Sequence, residues 1–400
     1  MALSTQPYKG ARDFYPADKR VQKYLFSIMR RVCEKYGYEE YDAPILEPTE
    51  LFASKTSDEI VNEQTYTFVD RGGRSVTLRT EMTPTVSRLV AAKRQELAYP
   101  LRLYSIPNLW RYERMQRGRL REFWQLNADL FGVSGLSAEQ ELIQLLDDIM
   151  QAYGATRDMY VTKLNSRKLI NAFLGEVLGL NETQITTMVR LIDRMHKMEH
   201  PEFIGQADAI FSPSQRETGA SEQLFAFLDN PSLDALPASI ASHEAAQSLK
   251  LLAAKLEQEK ITNVVYDPTL MRGFEYYTDI VFEVFDTDPE NNRAMFGGGR
   301  YDSLVGLFGV DPLPTVGFGM GDVTLLNFLE AHGLLPKLRP ETDLYIVNIG
   351  GADEASSKAA ADLREMDVNV ATDIAGRQAD KQIKAAEKKG IHYVLFVGEK

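Results

Sequence analysis

The sequence predicts an α+β protein: a sheet flanked by helices, interrupted by a helical insertion and followed by a small α/β unit. Three observations carry this prediction. Between residues 64 and 131, segments alternate apolar and polar side chains with the two-residue period of strands. Residues 166–258 change to helical periodicity. Residues 341–400 alternate short strand and helix patterns. A chain of 400 residues exceeds what one hydrophobic core usually supports. It therefore reads as a first part of a main domain (1–165), a helical insertion (166–258), a second part of the main domain (259–335) and a C-terminal unit (341–400).

Each element has a local reason. Val21, Tyr24, Leu25, Ile28, Met29 and Val32 recur at helical spacing, and Gly37 suits the C-terminal cap. Pro44 and Pro48 punctuate YEEYDAPILEP, which reads as one extended strand. FVDRGGRSVTLRTE predicts a hairpin turning at Gly72-Gly73. LRLYSIPNLWRYER and REFWQLNADLF predict strands flanking an arginine-rich loop. SAEQELIQLLDDIMQAYG predicts an amphipathic helix with Ser137 as N-cap and Gly154 at its end. The insertion shows helical patterns in RKLINAFLGEVLGL, ETQITTMVRLIDRMHKM and IASHEAAQSLKLLAAKLEQEK. VVYDPTL and YYTDIVFEVF return to strand, followed by the glycine cluster FGGGRYD, a helix over 323–332 and the linker KLRPET. DLYIVNI, EASSKAAADLREM, NVATD, KQIKAAEKKG and YVLFV complete the terminal alternation.

Composition narrows the function. A content of 44% hydrophobic and 26% charged residues excludes a collagen-like or disordered chain. No apolar run approaches the ~18 residues a membrane helix needs, and the N-terminus lacks the order of a secretory signal. The single cysteine, Cys33, excludes an internal disulfide and a cysteine-based zinc site, and the five histidines do not cluster at ligand spacing. A reduced, cytoplasmic location is expected. The net charge of −12 argues against coating nucleic acid non-specifically. It does not exclude an enzyme that handles RNA through a local basic patch.

The densest chemical signal is RYERMQRGRLR, with arginines at 111, 114, 117, 119 and 121. An isolated charge run is usually a solvated loop. This one lies between two strands of an acidic protein. Along EFWQLNADLF, Trp124, Leu126, Ala128 and Leu130 share one face, and Gln125, Asn127 and Asp129 share the other. Arg111 and Glu113 share a face opposite Trp110 and Tyr112. Such a sheet is half core and half recognition surface, suited to a phosphate and a cationic or amide-bearing ligand. In LRTEMT, Glu81 can bind an ammonium and Thr83 can add a hydroxyl, although the same letters also read as a helix start. MRGFEYYTDIVFE places Arg272 ahead of Tyr276 and Tyr277, a pattern equally compatible with core aromatics at a strand start. The glycines of FGGGRYD permit close backbone approach to a ligand but match no phosphate-loop spacing. No Ser-His-Asp order or HExxH helix is present.

Together these segments carry a resemblance. KGARDFYP with the helix and strand ending near Pro44, RYERMQRGRLREFWQLNADLFG, RGFEYYTDIVFE, GGGRYD and the final α/β unit resemble the histidyl-tRNA synthetases, a class II aminoacyl-tRNA synthetase family. The resemblance covers almost the whole chain. It implies the class II antiparallel sheet, a partial anticodon-binding domain, and ATP-dependent activation of L-histidine followed by transfer to tRNA(His), with ATP as substrate, Mg2+, and a homodimer. It places Glu81 and Thr83 on the histidine ammonium, Gln125 and Asp129 in the amino-acid pocket, and Tyr276 and Tyr277 beside the imidazole. Arg111 would hold the α-phosphate and carboxylate, and Arg272 would be the cation at the reacting centre. Glu113 would contact adenine and Arg119 the outer phosphates. The residues that would hold Mg2+ are left unassigned. The helix bearing Val21, Leu25 and Met29 would supply dimer surface.

The sequence departs from the family at three places. Val323 and Thr324 stand where a Glu-Arg pair is usual, Met115 stands for a proline, and the chain ends at Lys400, part-way through the terminal domain. A truncated chain is expected to leave residues 341–400 mobile or poorly packed, with Leu344, Tyr345, Ile346 and Val347 uncovered, or to complete that unit against a neighbour. The alternative reading is the synthetase-like regulatory subunit of ATP phosphoribosyltransferase, favoured by the lost arginine at 324 and disfavoured by Arg272, Arg111 and Glu81.

Overall fold

The computed structural model of the chain describes residues 3–53, 64–272, 276–291 and 293–398. The N-terminal helix, Pro16–Lys35, ends as its sequence predicts, with Gly37 at φ 77°. The segment read as one strand is two: β1 (Glu39–Glu40) and β2 (Leu46–Pro48), which enter different sheets on either side of the Ala43-Pro44 step. The predicted hairpin forms from β3 (Thr67–Val69) and β4 (Ser75–Leu78), with Gly73 at φ 79° in its turn. Then come β5 (Leu101–Ser105), β6 (Asn108–Trp110), β7 (Glu122–Phe131), β8 (Tyr160–Ser166), β9 (Val264–Tyr266), β10 (Ile280–Asp286), β11 (Ala294–Arg300) and β12 (Thr315–Gly321).

The main sheet runs β1-β5-β7-β12-β11-β10-β8-β9, with β6 paired to the start of β7. Its pairings are antiparallel except at its two ends, where β1–β5 and β8–β9 are parallel. The apolar face of β7 is core: Leu126, Ala128 and Leu130 are buried, and the helices Ser137–Ala152 and Asp322–Ala331 pack on this side. Ser137 is not the N-cap. Gln140 N–H already donates to the Leu136 carbonyl, so Ser137 lies inside the first turn.

Residues 167–258 are largely helical. Arg167–Ala172 continues into a π turn, and polar side chains start two of the helices that follow, Glu182–Asp193 and Pro213–Glu217. Asn181 with Gln184, and Ser212 with Gln215, form reciprocal capping boxes. The third predicted pattern is split at His243 into Ala238–Ala241 and Glu244–Gln258. His200–Ile210, Pro213–Glu217 and Ala220–Leu228 occupy a stretch whose period is too short-lived to read from sequence.

Leu25, Ile28, Met29, Val32 and Cys33 of the first helix are buried within the chain itself. The expectation that Leu25 and Met29 supply dimer surface is therefore corrected: intrachain packing already consumes that stripe. Burial pushes the Cys33 thiol up to about 12.

The chain divides into two compact units, one comprising Leu25–Leu335 with the segment ending at Asp13, the other Phe14–Tyr24 with Pro336–Lys400. In the second unit, β13 (Leu344–Ile349) is the centre of a parallel sheet between β14 (Val370–Thr372) and β15 (Tyr393–Gly398). The helices Asp353–Glu365 and Ala379–Lys388 accompany it. Tyr345, Ile346 and Val347 are buried, and Tyr345 and Val347 form a cluster with Ala386 and Ile391. The expected exposure of these residues is thus overturned, because a central strand is covered on both faces by its crossover helices. Exposed apolar side chains lie at the end of β13, at Ile349, on β15, at Tyr393, Leu395 and Phe396, and at Met366 and Ile374.

Candidate active site

The polar face of the main sheet is a trough floored by glycine. Its register sets Glu283 of β10, Gly297 of β11, Gly319 of β12 and Asn127 of β7 in one cross-strand row. The next row holds Val281, Gly299, Gly317 and Asp129. The two central strands therefore put no side chain into the trough at these rows, and side chains from β7 and β10 lean over them. A Cβ at Gly317 would collide with Asp129 Oδ1, and one at Gly319 would lie 2.8 Å from the Gln125 amide. A Cβ at Gly299 would lie 2.8 Å from Tyr277 Cδ1. The glycines of FGGGRYD thus make room inside a strand for neighbouring side chains, and Gly297 also lines the cleft, as close backbone approach to a ligand requires.

A cleft opens above this floor. It is lined by Glu81, Thr83, Arg111, Gln125, Asn127, Asp129, Arg272, Tyr276, Tyr277, Gly297, Tyr301, Gly317, Phe318 and Gly319. All eight residues expected to bind histidine line it. Glu81 and Thr83 arrive at the start of the helix Thr83–Ala92, so their two readings coincide. Tyr276 OH donates to Glu81 Oε2 at 2.9 Å and lies 3.4 Å from Thr83 Oγ1. Gly273, Phe274 and Glu275 of the same segment lie outside the described residues.

Electrostatics divide the cleft into acidic and basic parts. Tyr301 OH donates to Asp129 Oδ1, while Asp129 Oδ2 is buried without a hydrogen-bond partner. Burial pushes the Asp129 carboxyl up to about 7, against the lowering effect of the Tyr301 hydrogen bond. Burial, then the Glu81 charge, holds the Tyr276 hydroxyl well above the ordinary phenol range. The cations are Arg111, whose Nε donates to the Thr80 carbonyl at 3.0 Å, and Arg272. Arg272 pairs with Glu283 at 3.0 Å.

Glu113 and Arg119 are not in the cleft lining; they lie on the adjoining hairpin. Arg119 Nη1 is 3.2 Å from Glu113 Oε2, and Arg111 Nη1 is 3.8 Å from Glu113 Oε1. The hairpin tip closes between Gln116 and Arg119, with Gly118 at φ 80°. Arg121 is held at its base, 3.9 Å from the Tyr112 ring centre, with its backbone N–H donating to the Gly10 carbonyl. Thr324 Oγ1 donates to the Met295 carbonyl at 2.8 Å, so this position supplies no charge. Asn127 and Tyr301 join the cleft beyond the residues expected there. The alternation of β7 marks Asn127. Nothing local marks Tyr301, whose hydroxyl meets Asp129 only through the pairing of β7, β12 and β11.

A family model described as Histidyl-tRNA synthetase matches residues 10–323. The chain belongs to the histidyl-tRNA synthetase family. A second model, Anticodon binding domain, matches residues 343–400. The Histidine--tRNA ligase of Leptospira biflexa is 41% identical over 399 residues, which span 99% of this chain and 91% of that protein. That of Haloarcula marismortui is 34% identical over 396 residues, 98% of this chain and 90% of that protein. Among solved structures, the histidyl-tRNA synthetase from Nostoc sp. PCC 7120 superposes with a TM-score of 0.82 at 24% identity, covering 100% of this chain and 92% of that one. A structure described as an ATP phosphoribosyltransferase regulatory subunit/histidyl-tRNA synthetase from Bacillus halodurans gives 0.80 at 24% identity, covering 100% of both chains. These two likenesses establish the synthetase-family fold and nothing finer.

Proposed function

We propose that this protein activates L-histidine with ATP and transfers it to the 3′ end of tRNA(His). The carrying observation is the glycine-floored cleft that gathers a carboxylate and a hydroxyl, Glu81 and Thr83, an unpartnered buried acceptor, Asp129 Oδ2, and two arginines. A zwitterionic amino acid with an N–H-bearing side chain complements that arrangement.

In this reading the ammonium sits at Glu81 and Thr83, and the imidazole is held by Gln125 and Asp129, with Tyr276 and Tyr277 closing beside it. The histidine carboxylate attacks the α-phosphorus of ATP, and pyrophosphate leaves. Negative charge gathers at that phosphorus, so Arg111 and Arg272 act by position and electrostatics. Glu113 faces adenine and Arg119 the outer phosphates. The terminal ribose hydroxyl of tRNA then attacks the adenylate carbonyl, releasing AMP. Neither step needs a protein nucleophile. A pocket built to hydrogen-bond both ring nitrogens leaves buried polar groups unpaired with a wrong amino acid, which gives about 10⁴-fold rejection.

Among the described residues, no three His, Cys, Asp or Glu side chains gather as a metal cage. Mg2+ bound with ATP would share with the two guanidiniums the charge that gathers on the phosphates. A cytoplasmic homodimer completes the reading. The dimer is supported by apolar side chains left exposed on the small β2-β4-β3 sheet and its approach: Ile45, Leu46, Phe68 and Val69. No helix among the described residues is long and apolar enough to cross a membrane. Histidine-dependent ATP–pyrophosphate exchange tests the first step and tRNA(His) charging the second. Exchange no faster with histidine than without it would overturn the proposal.

A further inference from the structure

Arg272 is placed by an unusual amount of structure. Its backbone adopts φ 56°, a left-handed conformation that side chains with a Cβ rarely take. Its guanidinium carbon lies 5.4 Å from the Tyr277 ring centre. Its Nη1 donates to Glu283 Oε1 at 3.0 Å, and its Nε is buried without a hydrogen-bond partner. Gly297 clears the space: a Cβ there would collide with Arg272 Nη1 and lie 2.8 Å from Glu283 Cγ.

Glu283 belongs to a charge sequence that crosses the sheet. It pairs across β8–β10 with Lys163, whose ammonium lies 2.8 Å from Asp267. Asp267, Lys163, Glu283 and Arg272 thus alternate in sign from the β9 side of the sheet to the cleft. Asp193, at the end of the helix Glu182–Asp193, also lies within electrostatic reach of both Arg272 and Glu283. The Glu283 carboxylate is held by its strand pairing and by the fields of Arg272 and Lys163, and it fixes the guanidinium it binds.

We infer that Glu283 is a positioning residue for the adenylation step, holding the Arg272 guanidinium over the glycine floor in the orientation the developing phosphate charge requires. The inference rests on the proposed role of Arg272. Glu283 itself is not among the residues that line the cleft. Its removal should therefore leave ground-state binding alone and slow the chemistry.

The test is pyrophosphate exchange with full KM and kcat determination for Glu283→Gln, Glu283→Ala, Arg272→Ala and the double variant Arg272→Ala/Glu283→Gln. Glu283→Gln keeps the shape and one acceptor oxygen, so the fold persists and the guanidinium is held less firmly. Its kcat is expected to fall about tenfold, and that of Glu283→Ala about a hundredfold, with KM for ATP and histidine within about threefold of the parent. In the Arg272→Ala background, Glu283→Gln is expected to cost nothing further. If Glu283→Gln retains kcat within about twofold while Arg272→Ala is crippled, the positioning inference falls and the role of Arg272 stands. An additional loss in the double variant would overturn the positioning inference in the same way. If Arg272→Ala itself loses less than about tenfold, the reading of Arg272 fails first, whatever Glu283 does.

Discussion

Two side chains decide most of the chemistry at the residue scale. Removing a preorganised cation from a developing anion costs about 3–4 kcal/mol, so Arg272→Ala should reduce pyrophosphate exchange several-hundred-fold while the protein still folds. Arg272→Lys should recover little, since an ammonium cannot bind Glu283 and a phosphate through a planar fork. Asp129 makes a pH prediction. Its carboxyl releases a proton at about 7 in the folded protein, against an ordinary value of 3.8. The folded state therefore holds a proton that the unfolded chain has lost, and the associated stability is present below pH 3.8 and lost as pH rises through about 7. Asp129→Asn should flatten the fall in melting temperature between about pH 4 and 7. In the parent protein, histidine affinity measured by titration should strengthen as pH rises through about 7, because the carboxylate is the form that accepts an imidazole N–H. Gln125→Ala and Asp129→Ala should weaken histidine binding more than ATP binding; equal losses would indicate general damage to β7.

The glycine-bearing strands β11 and β12 are the parts of the fold most tightly coupled to the site at the element scale. Gly317→Ala would drive a methyl into Asp129 and should abolish histidine binding, as measured by calorimetry. Gly309 offers the contrast: at φ 76° with open space around its missing Cβ, Gly309→Ala should cost about 1 kcal/mol of stability through backbone strain and leave exchange intact. These strands also show what a sequence displays and what it hides. The alternation of β7 reveals both of its faces, because a two-residue period survives intact in the letters. The hairpin at Gly72-Gly73 and the terminal strand–helix alternation are legible for the same reason: their signals are local. The role of FGGGRYD is legible only in part: glycine permits ligand approach, and Gly297 lines the cleft, but the room it makes for Arg272 and Glu283 emerges only from cross-strand register. Tyr301 escapes notice on the same grounds. The split of YEEYDAPILEP into two sheets is likewise hidden, since nothing local names the strand's partner.

At the scale of the whole molecule, residues 336–342, between the helix Asp322–Ala331 and β13, carry no regular secondary structure. Limited trypsin should cleave at Lys337 or Arg339 before it enters either unit. The nicked protein should keep pyrophosphate exchange and lose tRNA charging to a much greater degree, because the matched anticodon-binding segment lies beyond the cut. A nicked sample that charges as well as the intact chain would show that this segment is dispensable for tRNA. Sedimentation should give a dimer at micromolar concentration, and Phe68→Glu with Val69→Lys should shift it towards monomer. A stable monomer of the parent chain would remove the dimer from the proposed function.

Cys33 has a practical consequence. It is the chain's one thiol, fully enclosed, and its burial keeps the nucleophilic thiolate scarce at neutral pH. Maleimide should therefore leave the native protein unmodified. A cysteine introduced at an exposed position, Tyr393 on β15 or Arg117 on the hairpin, would then be the single labelling point. The protein is thus ready for fluorescence or spin-label distance measurements without first being made cysteine-free, and any dye uptake by the parent chain would itself report unfolding of the first helix.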